Sequence, residues 1–156
     1  MSMTGGLLNR FRDLTIGRLV VRMVRVPTGG LAVTQLPPTV PARSTTSTIT
    51  APELLASILT SAPAAAISLT LPTANAVIQL ITQTNGGFPL EAGDSFDFSV
   101  VNTSAVSGAV VTILTSTGWA LVGNILVAPN ETVASNSSAQ FRVLRSATGL
   151  TLYRVG

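Results

Sequence analysis

From Gly93 to the end, the chain repeats short runs in which apolar and polar residues alternate. Phe96, Phe98 and Val100 take every second position of the first run, and Ser and Asp fill the positions between them. A period of two matches a β-strand, whose successive side chains point to opposite faces, and it does not fit an amphipathic helix. Gly, Pro and Asn separate the runs, so the pattern predicts a mainly β fold, an antiparallel β-sandwich or jelly roll.

The same rule applied to the rest of the chain predicts further strands with apolar residues on alternate positions. Trp119, Leu121 and Val122 follow the turn at Gly118 and belong to this β-rich part. The runs interpreted as strands are 66–71, 94–102, 109–115, 124–128, 138–145 and 150–155.

Two short helices are predicted before this series of strands. Thr50 and Glu53 have the spacing of a capping box, in which each side chain binds the other residue's backbone N–H. An apolar stripe continues this helix to near Ser61, where Pro63 follows closely. Thr73 is placed to cap a second helix over residues 74–82. The stripe of the first helix is formed by Leu54, Leu55, Ile58 and Leu59.

Residues 1–47 have a different character, and we interpret them as an extended basic arm that precedes a domain over residues 48–156. Residues 1–50 contain six Arg and one Asp, a net charge of +5, whereas the remainder carries −2. Leu14–Val26 is rich in β-branched residues with apolar groups on both faces, which favours a strand that needs a partner. The prolines of residues 36–43 favour an extended tether. The arginines predicted to bind a partner are Arg10, Arg12, Arg18, Arg22 and Arg25.

Three interpretations of this arm stay open at the level of sequence. The favoured one is an arm that lies across an adjacent subunit or adds a strand to it. An ordinary N-terminal strand of the same domain, followed by a long loop, is the second. A nucleic-acid-binding arm is the least favoured, because its arginines are interleaved with Leu, Val and Ile and it has no Lys.

The residue inventory argues against catalysis. The chain has no His, no Cys and no Lys, so it lacks the usual general base, thiol nucleophile and activating amine. Glu91, Asp94 and Asp97 form the main acidic cluster, and we interpret them as solvated strand-edge charges rather than a Ca²⁺ site. We therefore predict neither an enzyme nor a bound cofactor or metal.

Low charge points to a surface that is covered by other subunits. Charged residues make up 10% of the chain, against roughly 25% in a typical soluble domain. No apolar run reaches the roughly 20 residues of a membrane span, and arginines interrupt the N-terminal segment, so no membrane association is predicted. These features favour a building block of a larger assembly, with a homo-oligomer as the expected state.

Four segments of the body together resemble a module of small β-rich virion structural proteins. They are Thr48–Leu55, Leu69–Ala74, Gly93–Asn102 and the Phe141-Arg142-Val143 run, in that order. The family comprises capsid decoration or cement proteins, head-fibre proteins and spike proteins of tailed phages and large DNA viruses. The resemblance covers residues 48–156 and leaves the arm outside.

The resemblance implies a trimeric protein of the virion capsid, without cofactor or catalysis, that binds the major capsid protein or other virion subunits. We expect the arm to provide the attachment. Two alternatives are a fibre or spike tip that binds a host receptor or glycan, with Trp119 and Tyr153 as a stacking surface, and a jelly-roll shell protein whose arginine arm contacts the genome.

Overall fold

The computed structural model describes residues 42–130 and 137–156 in full, and residues 23–26 and 30–33 as backbone strands. In chain order the elements are β1 Met23–Val26, β2 Gly30–Val33, β3 Ser47–Thr48, α1 Ala51–Leu55, β4 Ile58–Ser61, β5 Ile67–Thr70, α2 Ala74–Thr84, β6 Ser95–Asn102, β7 Val111–Leu114, β8 Trp119–Val122, β9 Leu126–Val127, β10 Ser138–Arg145 and β11 Leu150–Arg154.

The strands from β3 onward form two sheets. One has five strands in the order β4-β6-β10-β11-β8, and the other has four in the order β3-β5-β7-β9. From β3 to β10, each strand lies in the opposite sheet from the strand before it. Consecutive strands are therefore in different layers, and the strands that pair edge to edge come from further apart in the chain.

This alternation corrects the prediction of an antiparallel fold. The pairs β3–β5, β4–β6, β5–β7 and β8–β11 are parallel, whereas β6–β10, β10–β11 and β7–β9 are antiparallel. The sequence interpretation predicted antiparallel pairing from short strands separated by turn signals. Between β3 and β7 the chain crosses to the other layer and back, so two reversals restore its direction and the partners become parallel.

The apolar core lies between the two sheets. Leu69 and Ile113 come from the four-stranded sheet, and Phe98, Phe141 and Leu152 come from the five-stranded sheet; all are at most 1% exposed. Phe98 and Phe141 are cross-strand partners, and their rings stack with centroids 5.3 Å apart. The predicted mainly β fold with two short helices is confirmed, and its layers share one core.

Strand alternation is confirmed most clearly in β6 and β10. Phe96, Phe98 and Val100 are buried on β6 while the residues between them are partly exposed. On β10, Phe141 and Val143 are buried in the same way. The period of two therefore identified the inward face of both long strands.

The two helices differ in how well the sequence predicted them. α2 begins after Thr73, whose hydroxyl accepts a hydrogen bond from Ala76 N at 3.3 Å, as expected. The capping box of α1 is also present, but α1 ends at Leu55 rather than near residue 61. Ser57 has a positive φ of 71° and redirects the chain into β4. The prediction of a long first helix was wrong, because Ile58 and Leu59 belong to a strand.

Asn102, at the end of β6, links the two layers from inside. Its side chain is fully buried, and its Nδ2 donates to the carbonyl oxygens of Ala109, at 2.8 Å, and Val127, at 3.3 Å. Its Oδ1 accepts a hydrogen bond from Ser104 N at 3.1 Å. Because Val127 belongs to the other sheet, this amide fixes the spacing between layers with every polar atom satisfied.

The segment before α1 is tied to both sheets. Arg43 N donates to Thr60 O and Arg43 O accepts from Ala62 N, each at 2.9 Å, so residue 43 forms a parallel bridge on the outer side of β4. Four residues later, β3 pairs with β5 in the other sheet. The last residues of the predicted arm thus bind to the edges of both layers.

Candidate interaction surface

The arginines predicted to bind a partner lie mostly outside the described residues. Arg25 belongs to β1, which pairs with β2 in an antiparallel hairpin that places Arg25 opposite Leu31. Arg10, Arg12, Arg18 and Arg22 lie outside the described residues. A partner-binding role for these five arginines stays a prediction.

One ion pair lies on the outer face of the five-stranded sheet. Arg142 Nε and Nη2 donate to the two carboxylate oxygens of Asp97, both at 2.8 Å. These two residues are cross-strand partners on β10 and β6. The hydrogen bonds from Arg142 lower the pKa of Asp97 below its ordinary value, against a smaller opposing effect of burial. The bidentate geometry fixes two charges against each other.

A second ion pair joins the start of α1 to the incoming chain. Arg43 Nη2 donates to the carboxylate of Glu53, which also accepts from the N–H and the hydroxyl of Thr50, both at 2.8 Å. Partial burial acts to raise the pKa of Glu53, but the hydrogen bonds from Thr50 and Arg43 outweigh it and leave that pKa below its ordinary value. This carboxylate therefore caps the helix and holds Arg43.

Two other arginines bind backbone carbonyls of the same chain. Arg145 Nη1 donates to the carbonyl oxygens of Ser146, at 2.6 Å, and Gly149, at 2.9 Å. Arg154 donates to Leu126 O through Nη1 and to Gly156 O through Nε. These guanidinium groups are used to hold turns and strand ends.

Two residues of the acidic cluster, Asp94 and Asp97, accept hydrogen bonds from within the chain. Asp94 accepts a hydrogen bond from Glu91 N at 2.8 Å and closes a tight turn, while Asp97 faces Arg142. Within residues 42–130 and 137–156, no group of three or more acidic side chains is arranged to hold a metal ion. In the same part of the chain, no helix is long and apolar enough to cross a membrane.

Large apolar side chains are exposed where β8 and β9 lie at the margins of the two sheets. We call these two strands, Trp119–Val122 and Leu126–Val127, the β8–β9 margin. Leu121, Val122 and Leu126 are 41%, 48% and 46% exposed. β8 is the last strand of the five-stranded sheet and β9 the last of the four-stranded sheet. Neither strand contains a charged residue, and the charged group that binds to this margin is the Arg154 guanidinium, on the carbonyl of Leu126.

Trp119, at the start of this margin, is part of the fold. Its Nε1 donates to Pro72 O at 2.7 Å, and its ring packs against the core cluster. A half-buried indole whose only N–H is already bonded is oriented for packing. This geometry favours a structural role for Trp119 over the stacking surface of a glycan-binding tip.

The backbone of β9 is protected at its outer edge. Ile113 N donates to Ile125 O, which sets the phase of the ladder and turns the N–H and C=O of Leu126 away from β7. The outward N–H of Leu126 donates to Asn124 Oδ1 at 2.9 Å, and its outward C=O accepts from Arg154. Both groups that another strand would use are therefore occupied.

The backbone of β8 is open at its outer edge. Leu150 N donates to Gly118 O at 3.0 Å, so the parallel ladder turns Ala120 and Val122 toward β11 and Leu121 away from it. No side chain or backbone group among the described residues binds the outward N–H and C=O of Leu121. Sequence reasoning identified β8 as β-rich but could not place it at an edge. The sequence signal for an exposed edge was the Trp119–Val122 run, which is short and has no polar residue on either face.

Two open depressions lie elsewhere on the surface. One, of about 470 Å³, lies at the start of α2 beside Arg145 and Thr148. The other, of about 250 Å³, lies over Ser57, Ile58 and Asp97. At the smaller depression Asp97 is paired with Arg142, and at the larger one Arg145 binds two carbonyl oxygens through Nη1 while its buried Nε has no hydrogen-bond partner.

Comparisons of this chain with protein-family models, curated proteins and solved structures found no match in any of the three.

Proposed function

We propose that this chain is a structural subunit of a virus particle, either a capsid decoration or cement protein or a minor capsid subunit. In this proposal it assembles with copies of itself and attaches to the major capsid protein through its N-terminal arm. The resemblance suggests a trimer and a sandwich of the jelly-roll type. The alternation of strands between layers supports the sandwich, while the parallel pairs depart from an antiparallel jelly roll.

The observation that carries the proposal is the β8–β9 margin. Exposed Leu121, Val122 and Leu126 form an uncharged surface on a chain that already has few charges. The described ion pairs and arginines bind within the molecule, so they leave little charge to keep such a surface in water. Apolar surface that persists on a folded domain is typical of a contact with another protein.

The contacts of Arg43 support the role of the arm as an attachment. An arm can attach a domain to a partner only if the arm is itself bound firmly to that domain. Arg43 is bound by two backbone hydrogen bonds, one to β4 and one to the residue after β4. Its side chain also pairs with Glu53 at the start of α1. A partner that binds residues before Arg43 would therefore be linked to both the five-stranded sheet and α1.

Co-sedimentation with particles purified from the source of the protein tests this proposal. We expect the full chain to sediment with the particles, and a full-length variant with Arg10, Arg12, Arg18, Arg22 and Arg25 changed to Gln to stay in the supernatant. A truncation that begins at Ala42 should behave like the Gln variant while keeping Arg43 and its contacts. Circular dichroism of each variant confirms that the fold is retained.

Three outcomes would contradict the proposal. Failure of the full chain to sediment with the particles would remove the structural role, and equal sedimentation of the Gln variant would remove the arm from it. Binding of the full chain to nucleic acid that weakens steeply with salt, and disappears in the Gln variant, would favour a genome-contacting arm instead.

A further inference from the structure

The two sheets have four edges, and three of them are short, blocked or partly covered by another segment. On β4, Arg43 covers the end of the strand through a parallel bridge to Ser61, whereas the outward N–H and C=O of Ile58 at its start have no partner among the described residues. On β9, Asn124 and Arg154 bind both outward groups of Leu126. β3 is two residues long. Natural sheets block their edges in such ways because an open edge pairs with other chains.

The β8 edge lacks all of these protections. Its four residues contain no charge and no proline, and the outward N–H and C=O of Leu121 have no partner among the described residues. Leu121 and Val122 are also its exposed apolar side chains. β8 therefore combines free hydrogen-bonding groups with an apolar surface along an edge that no other segment covers. Ile58 on β4 has both properties too, but Arg43 covers the rest of that edge.

We infer that β8 is a self-association site, at which it pairs antiparallel with β8 of a second copy about a two-fold axis through Leu121. The inference rests on the proposed self-assembly and names the contact that performs it. The two five-stranded sheets then join into one continuous sheet across the axis.

The strand is self-complementary in this arrangement. With Leu121 on the axis, its N–H and C=O exchange two hydrogen bonds with Leu121 of the other copy, as in a hydrogen-bonded antiparallel pair. Ala120 then lies opposite Val122 of the other copy on the outer face of the sheet. A two-fold axis brings identical groups together, so a charged strand would repel itself, whereas β8 carries no charge.

A second copy fits this edge better than the arm of a neighbour. Pairing of two identical edges satisfies both at once and closes the contact, so no open β8 remains. An arm that paired with β8 would make a heterologous contact, in which the two chains use different surfaces. A trimer is also built from heterologous contacts, so a trimer interface would have to lie on a surface other than the β8 pair.

The first test compares matched lysine variants by light scattering coupled to size-exclusion chromatography. We expect the full chain to form an assembly with an even number of copies, about 32 kDa for a dimer of the 16.0 kDa chain. Leu121→Lys should halve the mass and raise the dissociation constant at least about 100-fold, because it places two charges on the axis. Val106→Lys, at a similarly exposed position in the loop between β6 and β7, should leave the mass unchanged.

The second test uses the absence of cysteine from the chain. Opposite residues of a hydrogen-bonded antiparallel pair have Cα atoms about 5.5 Å apart, within the range that a disulfide spans. Under mild oxidation, Leu121→Cys should give a covalent dimer on a non-reducing gel, and Val106→Cys, in the loop between β6 and β7, should stay a single chain. This readout does not depend on whether the lysine variant folds.

Several results would overturn the inference. A monomeric full chain would do so, as would a trimer near 48 kDa whose mass Leu121→Lys does not change. Loss of association in the truncation that begins at Ala42 would show that the arm forms the contact. If the chain is a trimer that sediments with particles, the proposed function holds and the β8 pair is wrong. If the chain is a dimer that depends on Leu121 but does not bind particles, the β8 pair holds and the proposed function is wrong.

Discussion

β10 and β8 belong to the same sheet but use their apolar residues differently. β10 lies between β6 and β11, and its inward side chains are buried against the other sheet, with Phe141 stacked on Phe98. β8 has a neighbour on one side, and Leu121 and Val122 stay exposed although no polar residue alternates with them. Apolar residues of a central strand thus identify the core of the domain, whereas exposed apolar residues of an edge strand indicate a surface that contacts another chain.

The largest expected effect comes from the central strand. Phe141→Ala should lower the free energy of unfolding by about 3–5 kcal/mol, because it removes a buried ring and leaves a cavity beside Phe98. Leu126→Ala, on the edge strand β9, should change it by less than about 0.5 kcal/mol. Urea unfolding followed by circular dichroism measures both variants. Equal losses would show that the margin is part of the core and remove the contrast.

A smaller loss is expected at the polar link between layers. Asn102→Ala should lower the free energy of unfolding by about 2 kcal/mol, since buried groups of Ala109, Ser104 and Val127 lose their partner. The exposed Asn75→Ala change on α2 serves as the control and should leave stability unchanged or slightly raised. A neutral Asn102→Ala would mean that the layers do not depend on this amide.

The attachment of β8 to the sheet depends on a glycine. A Cβ at Gly149 would lie 2.2 Å from Gly118 O, the same oxygen that accepts from Leu150 N. Gly149→Ala should therefore displace β8 from β11 and lower the free energy of unfolding by about 1–3 kcal/mol. Gly156→Ala, where a Cβ would lie 3.7 Å from Gln140 Cβ and φ also lies outside the left-handed region, adds the same methyl group without the clash. Hydrogen exchange should show loss of protection at Val122 in Gly149→Ala alone.

Removing the block on β9 tests the difference between the two edges directly. Asn124→Ala combined with Arg154→Ala frees the N–H and C=O of Leu126 and should lower stability by about 1–2 kcal/mol. It should also produce larger assemblies in sedimentation velocity, because a second edge becomes open. Arg142→Ala, which removes an arginine from the sheet face, should leave the assembly size unchanged.

The smallest effect concerns pH. The pKa of Glu53 and that of Asp97 lie below their ordinary values, so each carboxylate stabilises the fold above that ordinary pKa. This contribution is lost as the pH falls through the lowered folded-state pKa. Glu53→Gln should reduce the acid sensitivity of urea unfolding below about pH 5 more than Asp97→Asn, because solvent screens the exposed Arg142 and weakens its pair with Asp97. If Asp97→Asn reduced the acid sensitivity more than Glu53→Gln, the Asp97–Arg142 pair would be its main source.

Local patterns predicted local structure well in this chain. The period of two identified the inward faces of β6 and β10, and Thr50 and Thr73 marked both helix starts. The first helix was predicted too long because Ile58 and Leu59 continue a helical spacing as well as a strand pattern. The left-handed backbone conformation of Ser57 ends the helix before Ile58, and a serine at this position does not predict that conformation.

The candidate interaction surface could be predicted only in part. Low charge and the basic arm suggested a subunit of an assembly, and the structure describes Arg25 alone among the five arginines of that prediction. The β8–β9 margin was hidden, because its residues look like any short apolar strand. Whether an edge is blocked depends on Asn124 and Arg154, and Arg154 lies 28 residues from the carbonyl it binds.

The sequence by itself determined local features: the alternation of the long strands, where both helices begin, and that few charges are available for the surface. It did not determine every element, since Ile58 and Leu59 form a strand. Only the tertiary structure decided which strands are neighbours, that four pairs run parallel and that β8 has an open edge. The reason is that alternation and capping act between residues a few positions apart. Sheet order depends on the balance of burial between distant strands, and no short pattern in the chain records it.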